Sequence, residues 1–325
     1  MGVEAALAML LVVTAGLLIE SFRRMRNAPL GVEPENVLTF WLIPSEVRVP
    51  PAAAPAFVAR VLEAVARVPG VQSATVDGGA PLSGTATSTL YMEGRPLPLP
   101  GPAPPVLRHY VGPDHFRTLG IPLRRGRVFT DADAAGAPRV AVISDAAARR
   151  FWPGEDPIGK RLLLGEAKNE RPTVIGVVAD VRRYSQAPSP NFYAPFGQTY
   201  RSINHSAVSH LVIRAATDPL NLTAAVREQI LAVDRRVVID QVMTLEQRLS
   251  NVVAQPRFYA VLLGWFGAMG LLLSVIGLYG VISYSVSQMT REVGIRIALG
   301  AQRRDILKLV VGHGLVLTII GLALG

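Results

Sequence analysis

The chain of 325 residues contains no cysteine, which excludes disulfides, thiolate chemistry and any cysteine-ligated zinc site. It also lacks the H-E-x-x-H pattern of zinc hydrolases. Its five histidines are scattered, and His205 and His210, five apart, do not align two ligands on one helix face. Aromatic residues are only 6% of the chain and are not interleaved with basic clusters, so a nucleic-acid surface is not indicated. Charge is absent from one long stretch, Phe258 to Thr290. No nucleophile or metal constellation stands out, so no catalytic, cofactor or metal residue is assigned, and an enzymatic domain is disfavoured.

What is present is hydrophobicity. Half of the residues are apolar and the mean hydropathy is +0.33, high for a soluble globule. The charge-free run FYAVLLGWFGAMGLLLSVIGLYGVISYSVSQMT exceeds the ~20 residues a helix needs to cross a bilayer. Glycines 264, 267, 270, 277 and 280 within it suit close helix contact in lipid. A second apolar run, Leu309 to Gly325, stops while still apolar and is expected to be a truncated span. Its His313 is read as an interfacial or helix-contact residue. A shorter run, Ala5 to Ile19, lacks a basic n-region and a small-residue cleavage site. It is expected to be a membrane helix without its beginning, emerging as a stalk through Arg23 and Arg24.

Between the first two runs lie about 240 mostly polar residues, far too many for a loop, so they form a folded domain. The net charge of +9 suggests anionic partners. Its clearest local expression is the loop Arg291 to Lys308, with Arg291, Arg296, Arg303, Arg304 and Lys308 against Glu292 and Asp305. By the positive-inside rule this short loop faces the cytoplasm and the large domain the opposite side.

Within that domain the pattern is mixed α/β. Strands are expected at 36–43, 71–76, 140–144, 172–178, 210–215 and 237–242. A helix is expected over 54–68, with Phe57, Val58, Val61, Leu62 and Val65 on one face, stopped by Pro69-Gly70. Ser144 is read as the N-cap of a short helix through Phe151. Asp218-Pro219 opens a helix to Val233, and Thr244 with Gln247 forms a capping box for a last helix. The expected arrangement is two βαβ-like subdomains, with Arg95 to Pro105 as an exposed connection. GEDPIGK at 154–160 matches G-x-x-x-x-G-K, but Arg161 stands where the metal-binding hydroxyl belongs and Glu155 and Asp156 would repel phosphate. It is read as a tight turn between a helix and a strand. Asp131 and Asp133 are read as solvated turn residues rather than a cation site. The sequons at Asn204 and Asn221 are taken as chance matches.

REVGIRIALGAQRRDIL resembles the cytoplasmic loop of ABC-transporter permeases of the MacB/FtsX type. VAVISDAAARRFWPGEDPIGKRL followed by TVIGVVADVR resembles the MacB-like periplasmic core domain. The opening run with its stalk is similar to that of the large duplicated permeases of Acidobacteria. The resemblance implies a transmembrane helix and stalk at 1–30, a periplasmic core domain at 31–250 and an FtsX-like permease region at 251–325. The fold class is then membrane α-helical plus α/β, in a multi-pass protein of the bacterial inner membrane. It further implies a permease subunit for efflux or for lipoprotein or peptide handling. Its partners would be a separate cytoplasmic ABC ATPase, a second permease module or a homodimer mate, and membrane lipid. Glu292, Gly294, Arg296 and Gly300 match the family's coupling motif, and Arg303 and Arg304 lie just beyond it. Lipid anchoring of the same loop, and a membrane-anchored sensor or scaffold with no ATPase, remain open as alternative readings.

Overall fold

A computed structural model of the chain describes residues 30–43, 54–78, 86–94, 105–164, 171–182, 189–199 and 209–288, together with positions 13, 14, 16, 17 and 20. It divides into two compact units, one of residues 29–252 and one of residues 1–28 with 253–325.

In the first of these units, β1 (Val37–Ile43) is followed by α1 (Ala54–Ala66) and β2 (Val71–Asp77). Phe57, Val58, Val61 and Val65 of α1 are buried, the face set by their three-and-four spacing. Gly70, at φ +94°, takes the left-handed turn that ends this segment after Pro69. Near the end of the unit, β10 (Ser209–Ala215) leads through a 3-10 turn at Pro219–Leu222 into α5 (Thr223–Val233) and β11 (Val238–Thr244). The Asp218 side chain accepts from the Leu220 amide, as an N-cap does.

These strands interleave in the order β11-β1-β10-β2, with β10 antiparallel to both β1 and β2. Each βαβ element is therefore split by a strand of the other, which is the ferredoxin-like arrangement. The expected βαβ-like units take this split form: β1 and β2 do not pair with each other, and neither do β10 and β11. α1 and α5 pack on this half-sheet through Val61, Val65, Val226 and Ile230, against Leu38, Phe40, Leu211 and Ile213.

Everything between β2 and β10 is an insertion that builds the second half-sheet. Its strands are β3 (Ala86–Met92), β4 (Pro105–Val111), β5 (Leu123–Gly126), β6 (Val140–Ser144), β7 (Leu162–Leu164), β8 (Thr173–Val178) and β9 (Asn191–Pro195). Three short helices accompany them: α2 (His115–Leu119), α3 (Asp145–Phe151) and α4 (Phe196–Thr199). The order runs β4-β9-β6-β8-β5, with β3 beside β4 and β7. β6 and β8 are parallel and joined through α3, a true βαβ crossover. Phe151, Trp152, Ile143 and Phe192 fill the core beneath it. β3, β4, β5 and β9 were not expected, whereas β7 is the strand read after the GEDPIGK turn. Pro105, assigned above to an exposed connection, opens β4, and residues 95–104 lie outside the described set.

The last described helix is α6 (Leu245–Gln288), 44 residues long. Its start is capped as expected: the Thr244 hydroxyl accepts from the Gln247 amide, and the Gln247 side chain accepts from the Thr244 amide. Leu245 and Leu249 are buried in the core of the 29–252 unit. From Val261 onward the picture reverses. Trp265 is 69% exposed and Tyr279 74%, and Phe266, Met269, Leu272, Leu273 and Ile276 are also exposed. Among the described residues no helix is long and apolar enough to count as a membrane span; several α6 side chains lie outside that set.

Candidate functional site

Glu292, Gly294, Arg296, Gly300, Arg303 and Arg304, expected as coupling residues, all lie outside the described residues, as do most of the first and all of the third apolar run. The functional geometry within reach is that of the 29–252 unit, and it concentrates where its two half-sheets meet.

The half-sheets are joined at a single residue pair, Asp77 with Val111. Two backbone hydrogen bonds flank it, from Gly78 N to Tyr110 O at 2.8 Å and from Gly112 N to Val76 O at 2.9 Å. Gly112 is required by close approach: a Cβ there would stand 2.8 Å from Thr75 Oγ1 and 3.2 Å from Val76 N. The pairing across the seam is narrow, and buried side chains from both half-sheets, Val37 and Val212 with Val111, Val142 and Tyr193, share one core there.

Around this seam the fold gathers polar groups that are far apart in the chain. Asp77, His109, His115, Asn191 and Tyr193 are all buried. His109 meets Asn191 Oδ1 through Nε2 at 3.1 Å, and its Nδ1 stands 3.9 Å from Asp77 Oδ2. The His109 ring stacks on Tyr193 at 4.9 Å between centroids, and His115 lies 5.8 Å from the same ring. Burial lowers the pKa of His115 to about 4, partly opposed by the negative charge of Asp77, so it is neutral at ordinary pH. Burial, with help from Asp77 and Asp180, pushes the Tyr193 phenol far above its usual value. Both groups are held uncharged, which favours packing over proton transfer. Sequence reasoning missed this cluster, because its members come from β2, β4, α2 and β9. Its one local trace is the His-Tyr-Val of β4, whose alternation puts His109 and Val111 on one face.

The Ser144 cap holds as expected. Its hydroxyl accepts from the Ala147 amide at 3.3 Å and also from the Asn191 amide at 3.0 Å, tying α3 to β9. The phosphate-loop look-alike is a turn that leads from α3 to β7. Lys160 pairs with Glu155 of the same turn and the Asp156 carboxylate accepts from the Ile158 amide. The reading of Asp131 and Asp133 as two solvated residues needs correction. Asp131 is exposed, but Asp133 is buried and takes two hydrogen bonds from Arg127, at 2.7 and 2.9 Å. The Arg127 bonds, with those from Thr130, hold its carboxyl below the usual carboxylate range. Among the described residues there is no group of three metal-ligating side chains.

Comparison with known proteins places these features. The MacB macrolide export ATP-binding/permease protein of Aggregatibacter actinomycetemcomitans is 26% identical over 219 residues, covering 65% of this chain and 33% of that protein. The ABC transporter permease YknZ of Bacillus subtilis is 27% identical over 209 residues, covering 64% of this chain and 52% of its own length. The chain thus spans about a third of MacB and about half of YknZ. The crystal structure of the MacB periplasmic region from Actinobacillus actinomycetemcomitans superposes with a TM-score of 0.47 at 15% identity, over 71% of this chain and 98% of that one. The family model of the MacB-like periplasmic core domain matches residues 5–233, and that of the FtsX-like permease C-terminal region matches residues 264–325. With both modules matched in this order over most of its length, the chain belongs to the MacB/FtsX-type family of ABC transporter permeases.

Proposed function

We propose that the chain is a multi-pass permease subunit of the bacterial inner membrane that transmits the motion of a separate cytoplasmic ABC ATPase to a periplasmic domain. The division into 1–30, 31–250 and 251–325 belongs to this reading. The single observation that carries it is the succession of a MacB-like core match at 5–233 and an FtsX-like match at 264–325. Two further features support it. α6 exposes large apolar side chains over about half its circumference at 3.6 residues per turn. The stretch from Phe258 to the end of α6 carries no charge.

In this mechanism no residue of the chain makes or breaks a covalent bond. The segment 291–308 is a short amphipathic cytoplasmic element, with Ile295, Ala298 and Leu299 on one face and Ile306 and Leu309 on another after Gly300. Glu292, Gly294, Arg296 and Gly300 form its docking core. Arg303 and Arg304 offer planar, bidentate donors to carboxylates of the ATPase. The narrow seam between the periplasmic half-sheets gives the received motion a place to act. Gly300→Val tests this because it keeps every charge. Loss of ATPase copurification with membrane insertion intact is the expected result. Retained copurification and normally stimulated hydrolysis would rule this loop out as the coupling element and leave lipid anchoring as its role.

A further inference from the structure

A cavity of about 320 Å³ opens directly over the seam between the two half-sheets. Its lining includes Val76, Val111 and Gly112 of the crossing itself, Leu62 of α1, Phe129 before the 3-10 turn at Asp131–Asp133, and Phe196 of α4. All of it lies within the 29–252 unit. The volume falls at the lower end of the range typical of small-molecule sites, ~300–1,000 Å³. Its walls come from both half-sheets, so an occupant would bridge parts of the molecule that share one residue pair of sheet.

The charged groups of the lining have one sign. Two carboxylates, Asp131 and Asp133, take part and no lysine, arginine or histidine does, although the chain as a whole carries +9. Asp133 is neutralised by its two hydrogen bonds from Arg127. Asp131 is exposed and makes no hydrogen bond or ion pair among the described residues. An apolar bed with one exposed carboxylate at its edge, unpaired among the described residues, suits an apolar body carrying a cationic nitrogen. An anion would find the repulsion of Asp131 and no cationic side chain to offset it.

We propose that this cavity is a binding site for small amphiphilic cations, with Asp131 as the charge-selecting residue and the ligand spanning the seam. The site needs no ATPase, so its test is independent of the proposed permease role.

Because the 325-residue chain has no cysteine, single reporters can be placed in it in lipid nanodiscs. Ala59→Cys and Ala135→Cys, both at exposed lining positions, report on the cavity from two separate segments of its lining; Ala225→Cys on α5, also exposed and outside the lining, is the control. The rate of maleimide labelling is read against phenylbutylamine, phenylbutanol and phenylpentanoate. Expected is protection of both reporters but not of the control, with the amine half-protecting at a concentration at least about fivefold below that of the carboxylate, the size of one partly exposed ion pair. Asp131→Asn should abolish that preference and keep protection by the alcohol. Absence of protection by the amine, equal protection by amine and carboxylate, or a preference surviving in Asp131→Asn would each overturn the proposal.

Discussion

The 29–252 unit and the long reach of α6 both carry large apolar side chains, α6 more densely, and use them in opposite ways. In the folded unit Phe40, Phe192, Leu211 and Ile213 are at or below 1% exposure. Along α6, Trp265, Met269, Leu273 and Tyr279 are all at least 60% exposed. The first set is satisfied by the chain's own contacts. The second lacks such contacts, and exposed apolar surface on this scale marks a site that something else covers. In the permease role proposed above, that cover would be lipid and neighbouring helices, where association relies on close packing rather than on escape from water. The contrast also separates what a mutation can do: truncation in the folded unit empties a core, and truncation along exposed α6 does not.

The sharpest way to break this contrast is a pair of truncations. Phe192→Ala should lower the stability of the folded unit by about 3–5 kcal/mol, the range for emptying an aromatic core position. Met269→Ala, in α6, should change it by less than about 0.5 kcal/mol. The measurement is a urea titration of the full chain in nanodiscs, following Trp41 and Trp152 fluorescence in a Trp265→Phe background, since the chain has three tryptophans.

A pH effect confined to the folded unit comes next. The pKa of His115 falls from 6.5 to about 4 on folding, so below 6.5 the unfolded chain binds a proton that the folded chain refuses. The stability this neutral histidine allows is complete above pH 6.5 and is lost as the pH falls toward 4, by up to about 3 kcal/mol. His115→Phe should flatten the stability profile in that window, as read by the same titration at a series of pH values.

Smaller again is Ser144→Ala. The hydroxyl serves the Ala147 and Asn191 amides in a fully buried place, and its removal should lower stability by about 1–3 kcal/mol. Smaller than that of Ser144→Ala is the effect expected of Arg127→Met. It removes the partner of buried Asp133, but Arg127 is half exposed and Thr130 still serves the carboxylate, which limits the loss to about 1 kcal/mol. Both would be ranked by thermal unfolding of the same chain.

Those elements whose signals are local could be read from the sequence. α1 follows from the spacing of Phe57, Val58, Val61 and Val65 and its stop at Pro69-Gly70. The caps at Ser144, Asp218 and Thr244 follow from side chains that bond amides two or three residues away. β6, β8 and β10 follow from runs of valine and isoleucine. What the sequence hid is set by distant pairing. β1 sits against β10 with Val37 opposite Arg214, a match fixed by burial on both strands and by no local pattern. β5 is Leu-Arg-Arg-Gly with every residue exposed, an edge strand with no apolar alternation to betray it. The buried His109, His115 and Tyr193 group needed the β4-β9 pairing to exist, and Asp133 needed Arg127 folded back onto it. The coupling residues stood out for the opposite reason: a dense basic motif between two apolar runs is legible without any fold.

The most direct test of the contrast between the two regions is the side of the membrane that each end of α6 meets. Single cysteines at Ala225 and at Arg303, in cells with a permeabilised outer membrane, are treated with an impermeant maleimide before and after lysis. If α6 crosses the bilayer, with the folded unit in the periplasm and the basic loop in the cytoplasm, Ala225→Cys reacts before lysis and Arg303→Cys only after it. Equal reaction of both positions before lysis, or the reverse order, would contradict that placement.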